Sequence, residues 1–91
     1  MIKHVIFDRD GTLIEHIPYL KKVSDVKLLP KVKSCIKFLI DNGIAIHLHT
    51  NQSGISRGYF DLHDAKECNK KMIDLIGMGD DIFGSICISD D

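Results

Sequence analysis

Two aspartates separated by one residue, Asp8 and Asp10, are the side chains of this sequence best placed to do chemistry. One carboxylate can attack a phosphoryl group and form an aspartyl-phosphate, which divides hydrolysis into two steps. The other can give a proton to the leaving oxygen and later take one from water. Mg²⁺ favours carboxylate, phosphate and water oxygens, so it would neutralise the negative charges that meet there. Because Asp-x-Asp-Gly also occurs in turns and calcium loops, the pair alone leaves this chemistry open.

The surrounding residues predict an alternation of strands and helices that would position the aspartates. Short apolar or alternating runs indicate strands, and apolar residues at helical spacing indicate helices. Glycines stand where helices should end, and a polar, glycine-bearing stretch indicates a loop. The predicted elements in chain order are a strand at 4–7, a flap or loop at 13–29, a helix beginning at Pro30 and ending before Gly43, a strand at 44–49, a polar loop at 51–58, a helix between Asp61 and Gly77, and a strand at 83–88.

Strands separated by helices favour right-handed crossovers and a parallel sheet. The predicted fold class is therefore α/β, with about three parallel strands in a single domain. In such a sheet, ligands bind beyond the carboxyl ends of the strands. The segments that follow the three predicted strands are 8–10, 50–53 and 89–91, and all of them are polar. This coincidence predicts a site at that end of the sheet.

The bulk composition excludes several classes of function. The 91 residues are 44% hydrophobic and 27% charged, which fits one small soluble domain. A net charge of -1, from 12 basic and 13 acidic residues, predicts neither nucleic acid nor a membrane surface as a partner. The first residues lack the apolar stretch of a secretory signal, and no run approaches the roughly 20 apolar residues of a spanning helix. Three scattered cysteines argue against a disulfide framework and for a cytoplasmic location: Cys35, Cys68 and Cys87.

The hexapeptide from Asp8 to Leu13 resembles the first motif of the haloacid dehalogenase (HAD) superfamily. This resemblance implies a HAD-like, Rossmann-like three-layer sandwich in which Asp8 is the nucleophile and a Mg²⁺ ligand. It implies that Asp10 is the general acid and base and binds Mg²⁺ through its backbone carbonyl. It also implies that Thr50, after the second strand, hydrogen-bonds the transferred phosphoryl group, a role suited to a hydroxyl donor.

The stretch from Thr50 to Gly58 resembles the loop of the D-glycero-D-manno-heptose 1,7-bisphosphate phosphatases within that superfamily. Histidinol-phosphate phosphatases share its Thr-Asn-Gln start and are less similar after it. The resemblance implies a small phosphorylated sugar as substrate. Arg57 is a candidate for a second phosphate because a guanidinium suits phosphate geometry, although a solvated loop arginine is an equal alternative. The other residues implied in substrate binding are Thr50, Asn51, Gln52 and Ser53 in the loop, and His16 and Tyr19 in the flap.

Two later motifs of the superfamily are not recognisable here: a lysine that steadies the aspartyl-phosphate, and acidic residues that complete the Mg²⁺ site. Lys66, Lys70 and Lys71 fall in a predicted helix, where a solvated face is expected. The run at 86–91 ends in two aspartates but follows the second strand too soon to be the acidic motif. Cys87 aligns better with the first ligand of a zinc loop that many of these phosphatases carry. Its other three ligands cannot be placed, so no zinc is expected.

The sequence therefore predicts one incomplete HAD-like domain at 1–91, the N-terminal portion of a longer phosphatase. One hypothesis is a Mg²⁺-dependent sugar phosphate phosphatase. A second is a truncated, non-catalytic remnant that binds phosphate or a partner. A third, a calcium- or metal-binding loop protein, is disfavoured because there is a single short acidic loop. A half sheet would expose an edge and apolar surface, which predicts self-association.

Overall fold

The three apolar runs form strands that pair in chain order in a computed structural model, which describes residues 3–90. The strands are β1 (His4–Phe7), β2 (Ala45–Asn51) and β3 (Phe83–Ser89). β2 lies in the middle and pairs in parallel with both neighbours. The predicted α/β class with three parallel strands is confirmed. β2 runs two residues further than predicted because its pairing with β3 continues to Asn51 opposite Ser89.

Three helices connect the strands: α1 (Val32–Asp41), α2 (Ser53–Ser56) and α3 (Leu62–Ile76). α1 begins two residues later than predicted, because Lys31 precedes it in a left-handed conformation with a φ of 70°. Gly43 follows α1 with a φ of 71°, as the helix-ending role predicted for it requires. The polar loop predicted at 51–58 contains α2, a single helical turn that the sequence pattern did not reveal.

α3 begins with a complete capping box formed by Asp61 and Asp64. The Asp61 carboxylate accepts a hydrogen bond from the Asp64 N–H at 2.8 Å. The Asp64 carboxylate accepts one from the Asp61 N–H at 3.1 Å. These two bonds satisfy donors that a helix start otherwise leaves unpaired. The helix ends at Gly77, which is left-handed with a φ of 72°.

The flap at 13–29 is irregular, as predicted, but it is part of the core. It contains one 3₁₀ turn at Val23–Asp25 and is held by two backbone hydrogen bonds across its base. These run from the Glu15 N–H to the Lys27 carbonyl at 2.9 Å and from the Leu29 N–H to the Leu13 carbonyl at 3.0 Å. Its buried side chains are Leu13, Ile14, Leu20 and Val26. This anchoring places the tip of the flap over the carboxyl end of the sheet.

Alternation along the strands divides the sheet into two unlike faces. On one face Ile46 and Leu48 of β2 join a buried apolar cluster with residues from both α1 and α3. The other, here called the open face, carries Ile6, which is 70% exposed, together with His4, His47, His49 and Cys87. None of the helices in residues 3–90 combines the length and apolarity needed to cross a membrane.

Candidate active site

The chain turns sharply after β1, and the turn holds the two aspartates in a fixed loop. Three successive N–H groups donate to the carbonyl of Arg9, at 2.9 to 3.3 Å. Gly11 makes the turn possible with a φ of 78°. Asp8 stays exposed at the strand end and accepts a hydrogen bond from the Arg9 N–H at 2.9 Å. The three donors in the turn are Thr12, Leu13 and Ile14.

The Asp10 carboxylate is held from both sides by side chains of separate elements. One oxygen accepts from Gln52 Nε2 at 2.9 Å and from Thr50 Oγ1 at 3.4 Å. Arg9 contacts both oxygens, through Nη2 at 3.2 Å and Nε at 3.3 Å. Gln52 also donates to Thr50 Oγ1 at 2.7 Å, which links the first residue after β2 to a residue near the end of that strand. The carboxyl ends of β1 and β2 therefore meet in one polar network.

A cavity of about 330 Å³ lies beside this network, between the flap and the end of β2. Its size suits a small ligand, since ligand pockets measure roughly 300–1,000 Å³. Asp10 contributes a carboxylate to its wall. The other site residues from the sequence analysis that line it are His16, Tyr19, Asn51, Gln52 and Ser53.

Two tyrosines and an arginine form a cluster at the flap beside this cavity. Tyr19 is left-handed with a φ of 53°, and its hydroxyl accepts a hydrogen bond from Arg57 at 2.9 Å. Its ring packs on Tyr59 with 4.4 Å between centroids. A Cβ on Gly54 would collide with the Phe60 ring and lie 2.9 Å from Tyr19. Glycine at 54 therefore lets the flap approach the loop after β2.

Comparison with known proteins gives relatives of one kind. A protein of Thermoplasma volcanium named "Probable D-glycero-D-manno-heptose-1,7-bisphosphate 7-phosphatase" is 38% identical over 73 residues, which cover 80% of this chain and 50% of that protein. The D-glycero-beta-D-manno-heptose-1,7-bisphosphate 7-phosphatase of Haemophilus ducreyi is 48% identical over 59 residues, or 64% of this chain and 32% of that protein. The chain thus spans about a third to a half of these relatives. No protein-family model matches it.

A crystal structure agrees with the sequence comparisons. It is that of D,D-heptose 1.7-bisphosphate phosphatase from B. bronchiseptica, complexed with magnesium and phosphate. The TM-score is 0.87 at 27% sequence identity, covering 98% of this chain and 50% of that one. The chain is similar in both sequence and fold to part of the HAD-like heptose bisphosphate phosphatases. The resemblance carried by the hexapeptide and by the loop from Thr50 to Gly58 is therefore confirmed, and the chain corresponds to part of these phosphatases.

The site residues expected for a HAD phosphatase take three kinds of position. Thr50 is fully buried behind the cavity and reaches Asp10. Asp8 lies exposed at the strand end, and Arg57 contacts the flap rather than the cavity wall. The remaining candidates line the cavity itself, so the structure brings the flap and both strand ends to one place. Lys66 and Lys70 are exposed on α3, as the sequence analysis expected, and Lys71 is half-buried.

The oxygen donors at the end of β1 fit a hard divalent cation. Mg²⁺ is commonly bound through one or two carboxylates plus phosphate oxygens and water. The Asp8 carboxylate is exposed, whereas the Asp10 carboxylate is engaged by Arg9 and Gln52. This engagement agrees with a metal contact through the Asp10 backbone carbonyl. Within residues 3–90 no group of three His, Cys, Asp or Glu residues is arranged to hold a metal, and Asp91 of the acidic run lies outside the described residues.

Sequence reasoning missed two buried polar residues at the site, Arg9 and Asn69. Arg9 is 0% exposed and Asn69 is 4% exposed. Arg9 Nη1 donates to the Asn69 side-chain oxygen at 2.9 Å, although 60 positions separate the two residues. One sequence signal was available, because an asparagine at position 69 interrupts the otherwise apolar helical stripe that contains Cys68 and Met72.

Proposed function

We propose that this chain provides the nucleophile and part of the substrate pocket of a Mg²⁺-dependent phosphatase. The proposed substrate is a phosphorylated sugar, most like D-glycero-D-manno-heptose 1,7-bisphosphate. The observation that carries the proposal is the Asp10 carboxylate, held by Thr50 and Gln52 at the wall of a cavity of about 330 Å³. The relatives named for this reaction support it, and they extend well beyond the part that this chain matches.

In the proposed reaction the Asp8 carboxylate attacks phosphorus, and the bond from phosphorus to the sugar oxygen breaks. Asp10 has to be protonated when the substrate is bound, and it gives that proton to the leaving oxygen, so the sugar departs as an alcohol. Water then attacks the aspartyl-phosphate while Asp10 takes a proton from it. This step releases phosphate and restores both carboxyl groups to their starting forms.

The charge at phosphorus needs compensation because a carboxylate approaches a phosphate dianion. Bound Mg²⁺ would supply that compensation, and the Asp8 carboxylate and the Asp10 carbonyl are the groups proposed to hold it. Thr50 is proposed to donate to a phosphoryl oxygen through its hydroxyl. That role requires the hydroxyl to turn away from Asp10, which it contacts at a long 3.4 Å.

The rest of the pocket is proposed to bind the sugar and its second phosphate. His16, Asn51 and Ser53 offer hydrogen-bonding groups on the cavity wall. Tyr19 offers a ring face and a hydroxyl, and Arg57 beside it offers a guanidinium for a second phosphate. A histidinol phosphate substrate is the nearest alternative, because it would use the same phosphoryl site without a second anion.

A non-catalytic remnant is the second candidate function. The observation that favours it is coverage, since the chain matches only 50% of the B. bronchiseptica phosphatase. Exposed lysines on α3, away from the cavity wall, also leave the role of a phosphate-steadying lysine unassigned within residues 3–90. Such a remnant would bind phosphate without turnover.

One assay separates the two candidates. The chain is incubated with Mg²⁺ and heptose 1,7-bisphosphate, histidinol phosphate or p-nitrophenyl phosphate, and released phosphate is measured against an Asp8→Asn variant. The phosphatase proposal expects release that depends on both Asp8 and Mg²⁺, fastest with the heptose. Phosphate binding by calorimetry without Asp8-dependent release on any substrate would identify the remnant.

We further propose that the chain associates with itself and works in a reducing, cytoplasmic setting. Ile6 on the β1 edge strand is 70% exposed, and Phe38 on α1 is 63% exposed, so apolar surface is available for association. The three cysteines are free, which agrees with a reducing compartment. Sedimentation velocity over a range of concentrations tests association, and a single monomeric species throughout would contradict it.

A further inference from the structure

Arg9 is the most deeply buried charged side chain that the structure describes, with 0% exposure. Arginine is seldom fully buried unless it is paired, because removing its charge from water is costly. Its pairing here is with Asp10, the next residue in the chain, through Nη2 at 3.2 Å and Nε at 3.3 Å. The Asp10 side chain is itself 20% exposed and faces the cavity. The buried cation therefore lies directly behind a carboxylate that faces the candidate site.

A second contact fixes the arginine from the far side. Its Nη1 donates at 2.9 Å to the side-chain oxygen of Asn69, which is 4% exposed in the middle of α3. The neighbours of Asn69 on the buried side of that helix are apolar: Ala65, Cys68, Met72 and Ile73. A polar side chain in such surroundings lowers stability unless it is hydrogen-bonded, and Arg9 supplies the partner.

This arrangement restrains Asp10 in rotation as well as in position. A guanidinium is planar and can hold both oxygens of a carboxylate at once, which a lysine ammonium cannot do. The opposite side of the carboxylate is held by Gln52 at 2.9 Å. Asp10 is thus fixed between a residue that follows β2 and a residue anchored on α3.

We propose that Arg9, anchored by Asn69, is a positioning residue that keeps the Asp10 carboxyl group oriented for proton transfer to the leaving oxygen and from the attacking water. The inference rests on the proposed function, because it takes Asp10 as the general acid and base. Arg9 has no exposed surface and does not line the cavity, so it acts through Asp10 and not on the substrate.

The first test measures the orientation of Asp10 directly and needs no turnover. In ¹³C,¹⁵N-labelled protein, the three-bond couplings from the backbone to the Asp10 carboxyl carbon report the rotamer populations about χ1. The wild type is expected to show one rotamer. Arg9→Met and Asn69→Leu are expected to show averaged couplings, with Arg9→Lys between them and the wild type. Cys68→Ala is the matched control, because it removes a buried α3 side chain next to Asn69 and should leave the Asp10 couplings unchanged.

The second test is kinetic and separates positioning from a merely structural role. Where the wild type turns over, Arg9→Met should lower kcat by about 10- to 100-fold, since small misplacements of a reacting group have effects of that size. KM should change by less than about threefold, because an interaction of Arg9 with bound substrate is absent in the proposal. Arg9→Lys should restore part of kcat, and Asn69→Leu should lower kcat without touching Asp10.

The outcomes are distinct from those that test the proposed function. A wild type without Asp8-dependent turnover overturns the phosphatase proposal, while the couplings still decide the role of Arg9. Averaged couplings in the wild type, or wild-type couplings in folded Asn69→Leu and Arg9→Lys, would overturn the positioning role. So would a lower unfolding temperature with kcat unchanged at a temperature where the variants are folded. If Arg9→Met does not fold, Asn69→Leu and Arg9→Lys carry both tests.

Discussion

The carboxyl end of the sheet and its open face are built from the same three strands, yet they differ in which side chains are buried and which are exposed. At the carboxyl end a buried arginine, a buried threonine and a buried glutamine converge on one carboxylate. On the open face an isoleucine and several histidines remain in contact with solvent. Polar groups are buried where ligands would bind, and apolar groups are exposed where chemistry is absent.

This difference indicates which of the two surfaces has its polar groups satisfied within residues 3–90 and which remains uncovered. All buried side-chain nitrogen and oxygen atoms of the described residues have a hydrogen-bond partner. The network around Asp10 therefore needs no further polypeptide to be satisfied. By contrast, both faces of a parallel sheet are normally covered, so the open face is the surface expected to gain a partner.

The largest expected effects come from the two aspartates, and they should differ in kind. Asp8→Asn removes the proposed nucleophile and should lower turnover about a thousandfold or more, with little change in stability because Asp8 is exposed. Asp10→Asn should also lower turnover, and it should destabilise the fold by roughly 1–3 kcal/mol because the buried Arg9 loses its anionic partner. Turnover assays and chemical denaturation measure the two effects. Equal losses of stability in both variants would mean that the Asp10 carboxylate does not stabilise the buried Arg9 side chain.

A matched pair of substitutions on β1 and β2 compares the two faces directly. Ile46→Thr places a hydroxyl in the apolar cluster, where Ile46 is 1% exposed, and should cost about 2–4 kcal/mol. Ile6→Thr makes the same change on the open face, where Ile6 is 70% exposed, and should change stability by less than about 0.5 kcal/mol. Denaturant titration gives both values.

The same Ile6→Thr variant tests the open face as an association surface. Sedimentation velocity should show weaker self-association than in the wild type, while Ser24→Ala at an exposed position of the flap should leave it unchanged. If Ile6→Thr costs as much stability as Ile46→Thr, the open face is packed in solution and the comparison between the faces fails.

A smaller effect is expected where the flap meets the carboxyl end. Gly54→Ala introduces a methyl group that collides with the Phe60 ring and crowds Tyr19, so it should destabilise the fold by about 1–3 kcal/mol. It should also raise the KM for any substrate held under the flap. The double variant with Phe60→Leu should recover part of the loss, because the smaller side chain gives way. Additive losses in that double-mutant cycle would show that the methyl group at position 54 does not press on the Phe60 ring.

Prediction from sequence succeeded where a short local pattern is tied to one backbone requirement. The strand at 4–7 follows from apolar residues, the end of the first helix before Gly43 follows from a left-handed glycine, and both are observed. The inward direction of Arg9 could not be predicted, because its partner Asn69 lies 60 positions away and only tertiary packing brings them together. The burial of the flap side chains was equally hard to predict, since these residues have no regular period and join the same apolar cluster as residues of α1 and α3.

Tertiary packing also decides which cysteines are buried, and this gives the smallest predicted effect. Cys35 and Cys87 are exposed and should react with a thiol reagent in the folded protein, whereas Cys68 is buried and should react only on unfolding. Burial raises the pKa of the Cys68 thiol, although the guanidinium of Arg9 opposes that rise. The thiol of the unfolded chain ionises near the ordinary pKa of about 8.5, whereas the buried thiol ionises only at higher pH. The contribution of Cys68 to the unfolding free energy is therefore fully present below that value and is lost as the pH rises through and above it. The unfolding free energy should therefore fall between pH 8 and pH 10 by more in the wild type than in Cys68→Ala. An equal fall in both proteins would mean that Cys68 ionises as readily beside Arg9 as in the unfolded chain.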